Sequence, residues 1–153
     1  MLTYRTPVLR DWIDYNEHLR DAFYLLIFSY ATDALMARIG LDAAGRADTE
    51  HTLFTLEAHI NYLAQARLGD PLQVRTQFLD RDRKRLHLVH NLYREGSPEP
   101  LAVSEQMLMN IDTRSGKPHA FAERVEARIT ELFRQHQGAS HPGYCTRTIA
   151  IRR

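Results

Sequence analysis

Residues 21–39, DAFYLLIFSYATDALMARI, are apolar at almost every angle around a helix axis, and they constrain the fold more than any other stretch of the chain. Phe23, Ile27, Tyr30 and Ala34 recur at helical spacing, as do Tyr24, Phe28, Ala31, Leu35 and Ile39 on an adjoining stripe. A helix with so wide an apolar face needs cover on nearly all sides. A bilayer could supply it, but Ser29, Thr32, Asp33 and Arg38 interrupt the apolar run, which argues for a helix buried by its own protein. Gly40 is the left-handed residue expected at its end.

The cover lies downstream. After a polar loop, DAAGRADTEH (42–51), four segments alternate in the manner of strands, separated by LGDP, DRDRK and EGSPEP. Leu72, Val74, Thr76 and Phe78 share one face of the second segment; Leu101, Val103, Met107, Met109 and Ile111 share one face of the last. SGKP closes that segment, and residues 121–136 form an amphipathic helix with Phe121, Val125, Ile129 and Phe133 on one stripe. TYRTPVLR (3–10) reads as an N-terminal strand. A curved antiparallel sheet around a central helix satisfies this order. The expectation is one domain, residues 1–137, and a tail, 138–153, with a turn at Pro142-Gly143.

Composition excludes several classes of function. A formal net charge of +1 gives no field to draw nucleic acid or an anionic membrane surface, and 44% hydrophobic with 25% charged residues is a globular balance. The single cysteine, Cys145, rules out an intramolecular disulfide and a multi-cysteine zinc site and suits a reducing compartment, so the cytoplasm is expected. The first residues contain no signal-peptide core. There is no G-x-S-x-G elbow, H-E-x-x-H helix or Gly-rich phosphate loop.

The chemistry concentrates in WIDYNEHLRDAFY (12–24), just before the apolar helix. This loop resembles the D-x-x-G-H-[VLM]-N-N-x-x-Y loop of hotdog-fold acyl-CoA thioesterases of the 4-hydroxybenzoyl-CoA thioesterase type. Asp14 stands at the family's catalytic aspartate, His18 at its histidine and Tyr24 at its tyrosine. Glu17 stands where the family usually has glycine, and Arg20 and Asp21 where it often has two asparagines. Along residues 3–136 the blocks WIDYNEHLRDAFY, ATDAL, TLEAHINYL, KRLHLVH and EQMLMNIDTRSG are similar to the betainyl-CoA thioesterase group of carnitine breakdown.

The resemblance implies an α+β hotdog fold: about five antiparallel strands around the long helix, with a C-terminal surface helix. It also implies a homodimer through the sheet, or a dimer of dimers, with each active site between subunits. The implied reaction is hydrolysis of a small acyl-CoA, foremost betainyl-CoA to betaine and CoA, without cofactor or metal. Another short or medium acyl-CoA is the alternative substrate. A catalytically silent acyl-CoA-binding module, with Glu17, Arg20 and Asp21 marking a lost site, is the rival class. A hydratase of this fold would want aspartate and histidine five apart, whereas Asp14 and His18 are four apart.

Thioester hydrolysis needs a group to attack the carbonyl or activate water, and donors for the oxyanion. Asp14 fits the first role as nucleophile or base, and backbone N–H groups near Leu19 to Ala22 fit the second. The plainer reading of Asp14 or Asn16 is a cap. Glu57, in a strand-like segment, faces solvent, pairs with a cation, or serves the site as a second catalytic carboxylate. The expected substrate contacts are Trp12, Tyr15, Asn16, His18, Tyr30 and His59, the last sharing the face of Glu57. Aromatic faces hold quaternary ammonium groups, which assigns Trp12 to the acyl cation, although aromatics beside an apolar helix are also ordinary core. In the run RDRKR, Arg83, Lys84 and Arg85 form either a solvated turn or a cradle for the phosphates of coenzyme A.

Overall fold

A computed structural model describes residues 1–136 and 143–145. Strand β1 (Leu2–Pro7) leads through a short 3-10 turn (Arg10–Trp12) into helix α1 (Asp21–Ile39), with the bounds its apolar pattern predicts. Gly40 closes it at φ 87°. The segment expected to be a loop instead forms helix α2 (Ala43–Thr49). Polar Asp and Thr hid it, yet they start and fasten it: the Asp42 carboxylate accepts the Gly45 N–H at 2.8 Å, and the Thr49 hydroxyl donates to the Gly45 carbonyl at 2.8 Å. A Cβ at Gly45 would come within 2.0 Å of the Gly40 carbonyl, so this turn closes only around glycine.

Strands β2 (His51–Tyr62), β3 (Pro71–Arg81), β4 (Arg85–Arg94) and β5 (Pro100–Asp112) follow, then the two-residue β6 (Lys117–Pro118) and helix α3 (Glu123–Arg134). Every pairing is antiparallel, in the order β1-β3-β4-β5-β2, with β6 beside β5, and the sheet curls around α1. Although α1 is long and apolar enough by composition to cross a membrane, Ile27, Phe28, Ala31, Leu35 and Ile39 are sealed inside the protein. The N-terminal half of α1 packs on Leu72, Val74 and Leu92; the other half packs on Leu86, Leu88 and Leu108 and on Val125 and Ile129 of α3.

The face of β5 that meets α1 is the more polar one. Ala102, Ser104, Gln106, Leu108 and Asn110 face α1, while Val103, Met107 and Met109 lie on the far side. Polar residues win the inner face because they bond one another there. The Thr32 hydroxyl donates to Gln106 Oε1 at 3.3 Å, and the Gln106 amide donates to Ser104 Oγ at 3.1 Å. His90, fully buried, is hydrogen-bonded through Nε2 to Thr32 at 3.0 Å and through Nδ1 to Thr76 at 2.7 Å. Burial pushes its pKa down to about 3, so the ring is neutral.

On the far face Cys145 sits among Leu79, Val89 and Val103, and the Asn61 amide donates to the Tyr144 carbonyl at 3.4 Å. The Cys145 thiol, pushed up to about 11 by burial and the Glu105 charge, is inert. The expected boundary at 137/138, Pro142 and the β-prone chain end lie outside the described residues. β2 is an edge strand, bulged between Thr55 and Glu57, with Phe54, Leu56 and Tyr62 each more than half exposed.

Candidate active site

The loop before α1 is built around one carboxylate oxygen. Asp14 Oδ1 accepts the Asn16 N–H at 2.8 Å and the His18 N–H at 3.0 Å, while the Asp14 N–H donates to the His18 carbonyl at 2.8 Å. To close so tight a turn Glu17 takes φ 61°, the left-handed region where the resembled family carries glycine. Leu19 N–H to Ala66 O at 2.8 Å and Leu68 N–H to Glu17 O at 3.3 Å stitch the loop to residues 66–68. Asp14 Oδ2 carries no hydrogen bond among the described residues. The His18 N–H bond foremost, then the Asn16 bond and the charges of His18 and Arg20, hold Asp14 below the usual carboxylate range. The result is an ionised carboxylate with one oxygen fixed and the other free.

The oxyanion donors are fewer than expected. The Leu19 N–H is bonded to Ala66 O, the Arg20 N–H to Trp12 O at 3.0 Å and the Ala22 N–H to the Asp21 carboxylate at 2.8 Å. Of the four residues, only Asp21 keeps an N–H without a partner among the described residues. Tyr24 is a fastening: its hydroxyl donates to Ala64 O at 3.3 Å and accepts the Ala66 N–H at 3.2 Å. His18 stays in the loop, its buried Nε2 without a hydrogen-bond partner among the described residues.

Other expected contacts fall elsewhere. Trp12 is only 8% exposed and stacks on Phe23 with ring centroids 5.7 Å apart, which places it in the core instead of on a pocket wall. Tyr15 and Asn16 are exposed on the loop tip. Tyr30 leans on Tyr4 at 5.4 Å, nine residues up α1 from Asp21, or about 14 Å.

Glu57 and His59 do share a face, opposite Met107 and Glu105, but it is the face turned away from α1. Glu57 also stands five residues from Tyr62, the end of β2 nearest α1's first turn, or about 17 Å. One chain therefore does not bring Glu57 and His59 to Asp14. Nor does it bring Arg83, Lys84 and Arg85 there. They form the β3–β4 hairpin, about 33 Å along β3 from its Asp14 end. Arg85 pairs with Asp82 at 2.6 Å, Asp82 Oδ1 accepts the Lys84 N–H, and Arg83 lines an open cavity of about 470 Å³ shared with Arg81, Glu126 and Thr130.

The residue that sequence reasoning passed over is Tyr62, whose hydroxyl donates to the Asp21 carbonyl at 3.3 Å. The signal was present: Ala58, Ile60 and Tyr62 alternate along β2 toward α1. Among the described residues no three His, Cys, Asp or Glu side chains are grouped to hold a metal ion.

Known proteins are similar to this chain in sequence and in fold. The chain is 50% identical over 151 residues to the betainyl-CoA thioesterase of Pseudomonas aeruginosa, covering 99% of this chain and 95% of that protein. It is 36% identical to the L-carnitine dehydrogenase/betainyl-CoA thioesterase of Agrobacterium fabrum, covering 92% of this chain but 29% of that longer protein. A Staphylococcus aureus protein solved in complex with CoA is 32% identical with a TM-score of 0.93, covering 99% of this chain and 96% of that one. The family model described as the Thioesterase-like superfamily matches residues 8–129, from the end of β1 into α3. The chain belongs to the Thioesterase-like superfamily.

Proposed function

We propose that this protein hydrolyses betainyl-CoA to betaine and CoA. The observation that carries the reading is Asp14: in a chain half identical to a betainyl-CoA thioesterase, its carboxylate is ionised, anchored through Oδ1 and free at Oδ2, at the mouth of α1. Oδ2 attacks the thioester carbonyl to give an anhydride and CoA thiolate, which water then resolves, or it takes a proton from the water that attacks. Either route builds negative charge on the carbonyl oxygen, and the Asp21 N–H at the start of α1, without a partner among the described residues, is the donor that supports its stabilisation. Water is the only co-reactant, so the reaction calls for no cofactor.

The working unit is a homodimer joined at the β2 edges. An edge strand of twelve residues with Phe54 and Leu56 exposed is supported best by a second copy, because an unpaired apolar edge is an aggregation site. Antiparallel pairing turns the partner sheet end for end. The partner's basic hairpin then stands at the same end as this chain's Asp14, where Arg83 and Lys84 serve the CoA phosphates. The CoA-bound relative supports a CoA handle. The absence of a disulfide framework suits the cytoplasm.

The test is a thiol-release assay over a panel of acyl-CoAs. The panel includes betainyl-CoA and 3,3-dimethylbutyryl-CoA, in which a carbon replaces the quaternary nitrogen. The highest kcat/KM is expected for betainyl-CoA. Preference for the uncharged ester removes the betaine assignment, and release from none of them makes the chain a binding module.

A further inference from the structure

We infer that Tyr62 is the residue that recognises the cationic acyl group, holding its trimethylammonium over the open face of its ring beside the Asp21 carboxylate; the inference rests on the betainyl-CoA reading. In a betainyl thioester the quaternary nitrogen is two bonds from the carbonyl carbon, so the ring that holds the cation must stand next to the group that attacks the carbonyl. A cation binds a ring within about 6 Å of its centroid. These two conditions sort the aromatics. Within one chain Tyr30 lies too far along α1, and Phe54 too far along β2. Trp12 is near but buried, with Phe23 stacked on it. Tyr15, 93% exposed at a loop tip, has no wall behind it.

Tyr62 stands at the first turn of α1, where the loop that carries Asp14 ends. Tyr62 is 53% exposed, yet its ring is held from two directions: edge-on to the buried Tyr24, centroids 5.3 Å apart at 88°, and by its hydroxyl to the Asp21 carbonyl. A ring fixed before the ligand arrives loses little entropy on binding. Asp21 supplies the countercharge: its Oδ1 accepts the Ala22 N–H and its Oδ2 carries no hydrogen bond among the described residues. The Asp21 charge raises the Tyr62 phenol after burial does, which places that carboxylate within electrostatic reach. A trimethylammonium accepts no hydrogen bond, so a ring face and a carboxylate are the contacts its chemistry can use.

The experiment compares kcat/KM for betainyl-CoA and 3,3-dimethylbutyryl-CoA on the wild type, Tyr62→Leu and Tyr62→Phe, with melting temperatures taken first. Tyr62→Leu should lose roughly 2- to 30-fold on betainyl-CoA and clearly less on the uncharged ester. Tyr62→Phe, which keeps the π-face, should hold most of the selectivity. Equal losses on both esters in a folded Tyr62→Leu overturn the assignment to Tyr62 while leaving the betainyl-CoA reading intact. A wild type that prefers the uncharged ester overturns both. If the leucine variant does not fold, Tyr62→Met carries the same comparison.

Discussion

A left-handed residue between Asn16 and His18 is what lets Asp14 collect two backbone N–H groups on one oxygen. Glu17 does this against its own preference, since an L-residue in that region costs roughly 1–2 kcal/mol. Glu17→Gly should therefore stabilise the protein by about 1 kcal/mol, part of the relief being lost to the freer unfolded chain. The check is a urea midpoint that rises at unchanged slope; a fall would mean that the Glu17 side chain makes a contact worth more than the strain. Asp14→Asn keeps an oxygen for both N–H groups and removes only the charge. The fold should survive it, with kcat down at least ~100-fold. Turnover near wild type at an unchanged melting temperature would take Asp14 out of the chemistry. The position of Asp14 was legible in the sequence because the loop pattern marks it. The strain at Glu17 was visible only as a departure from glycine.

The β3–β4 hairpin tests the proposed assembly at the scale of an element. Arg83→Ala with Lys84→Ala should raise KM for CoA esters and spare kcat, because contacts far from the carbonyl contribute uniform binding. The rise should shrink in high salt. An unchanged KM at low ionic strength returns the hairpin to a solvated turn. Most elements were readable from periodicity: α1 with its Gly40 end, the four long strands and α3 follow directly from apolar spacing. Two features were not. α2 is too short and polar for a periodic signal, and it exists because Asp42 caps it and Gly45 fits under Gly40. β5 carries Leu101, Val103, Met107, Met109 and Ile111 at odd positions but Glu105 among them, and Ala102 and Leu108 among the polar even ones, so alternation alone does not say which face meets α1. The bonds among Thr32, His90, Gln106 and Ser104 fit the even face to α1. Glu57 and His59 were grouped correctly on one face; which face that is depends on the register of β2 against β5.

For the whole molecule, the buried histidine sets an acid limit. The folded pKa of His90 lies near 3 against 6.5 for the ordinary group. Above pH 6.5 the ring is neutral in both states and its contribution is complete. As pH falls below 6.5 the unfolded chain takes up a proton that the folded chain refuses, so stability drops by up to about 1.4 kcal/mol per pH unit. His51 and His136, also lowered by burial, act in the same direction. His90→Asn should be less stable than wild type at pH 7.5 but lose less between pH 6.5 and 5. Urea midpoints at three pH values measure this, and parallel losses in the two proteins would exonerate His90. The same buried bonds grip α1 halfway along its length, at Thr32, eleven residues beyond Asp21. The helix is thus indexed from its middle, and its reacting end inherits that alignment. A lineage can rewrite the loop of residues 12–20 and Tyr62 to accept a different acyl group while the scaffold beneath stays in register, so substrate range is free to drift where fold cannot.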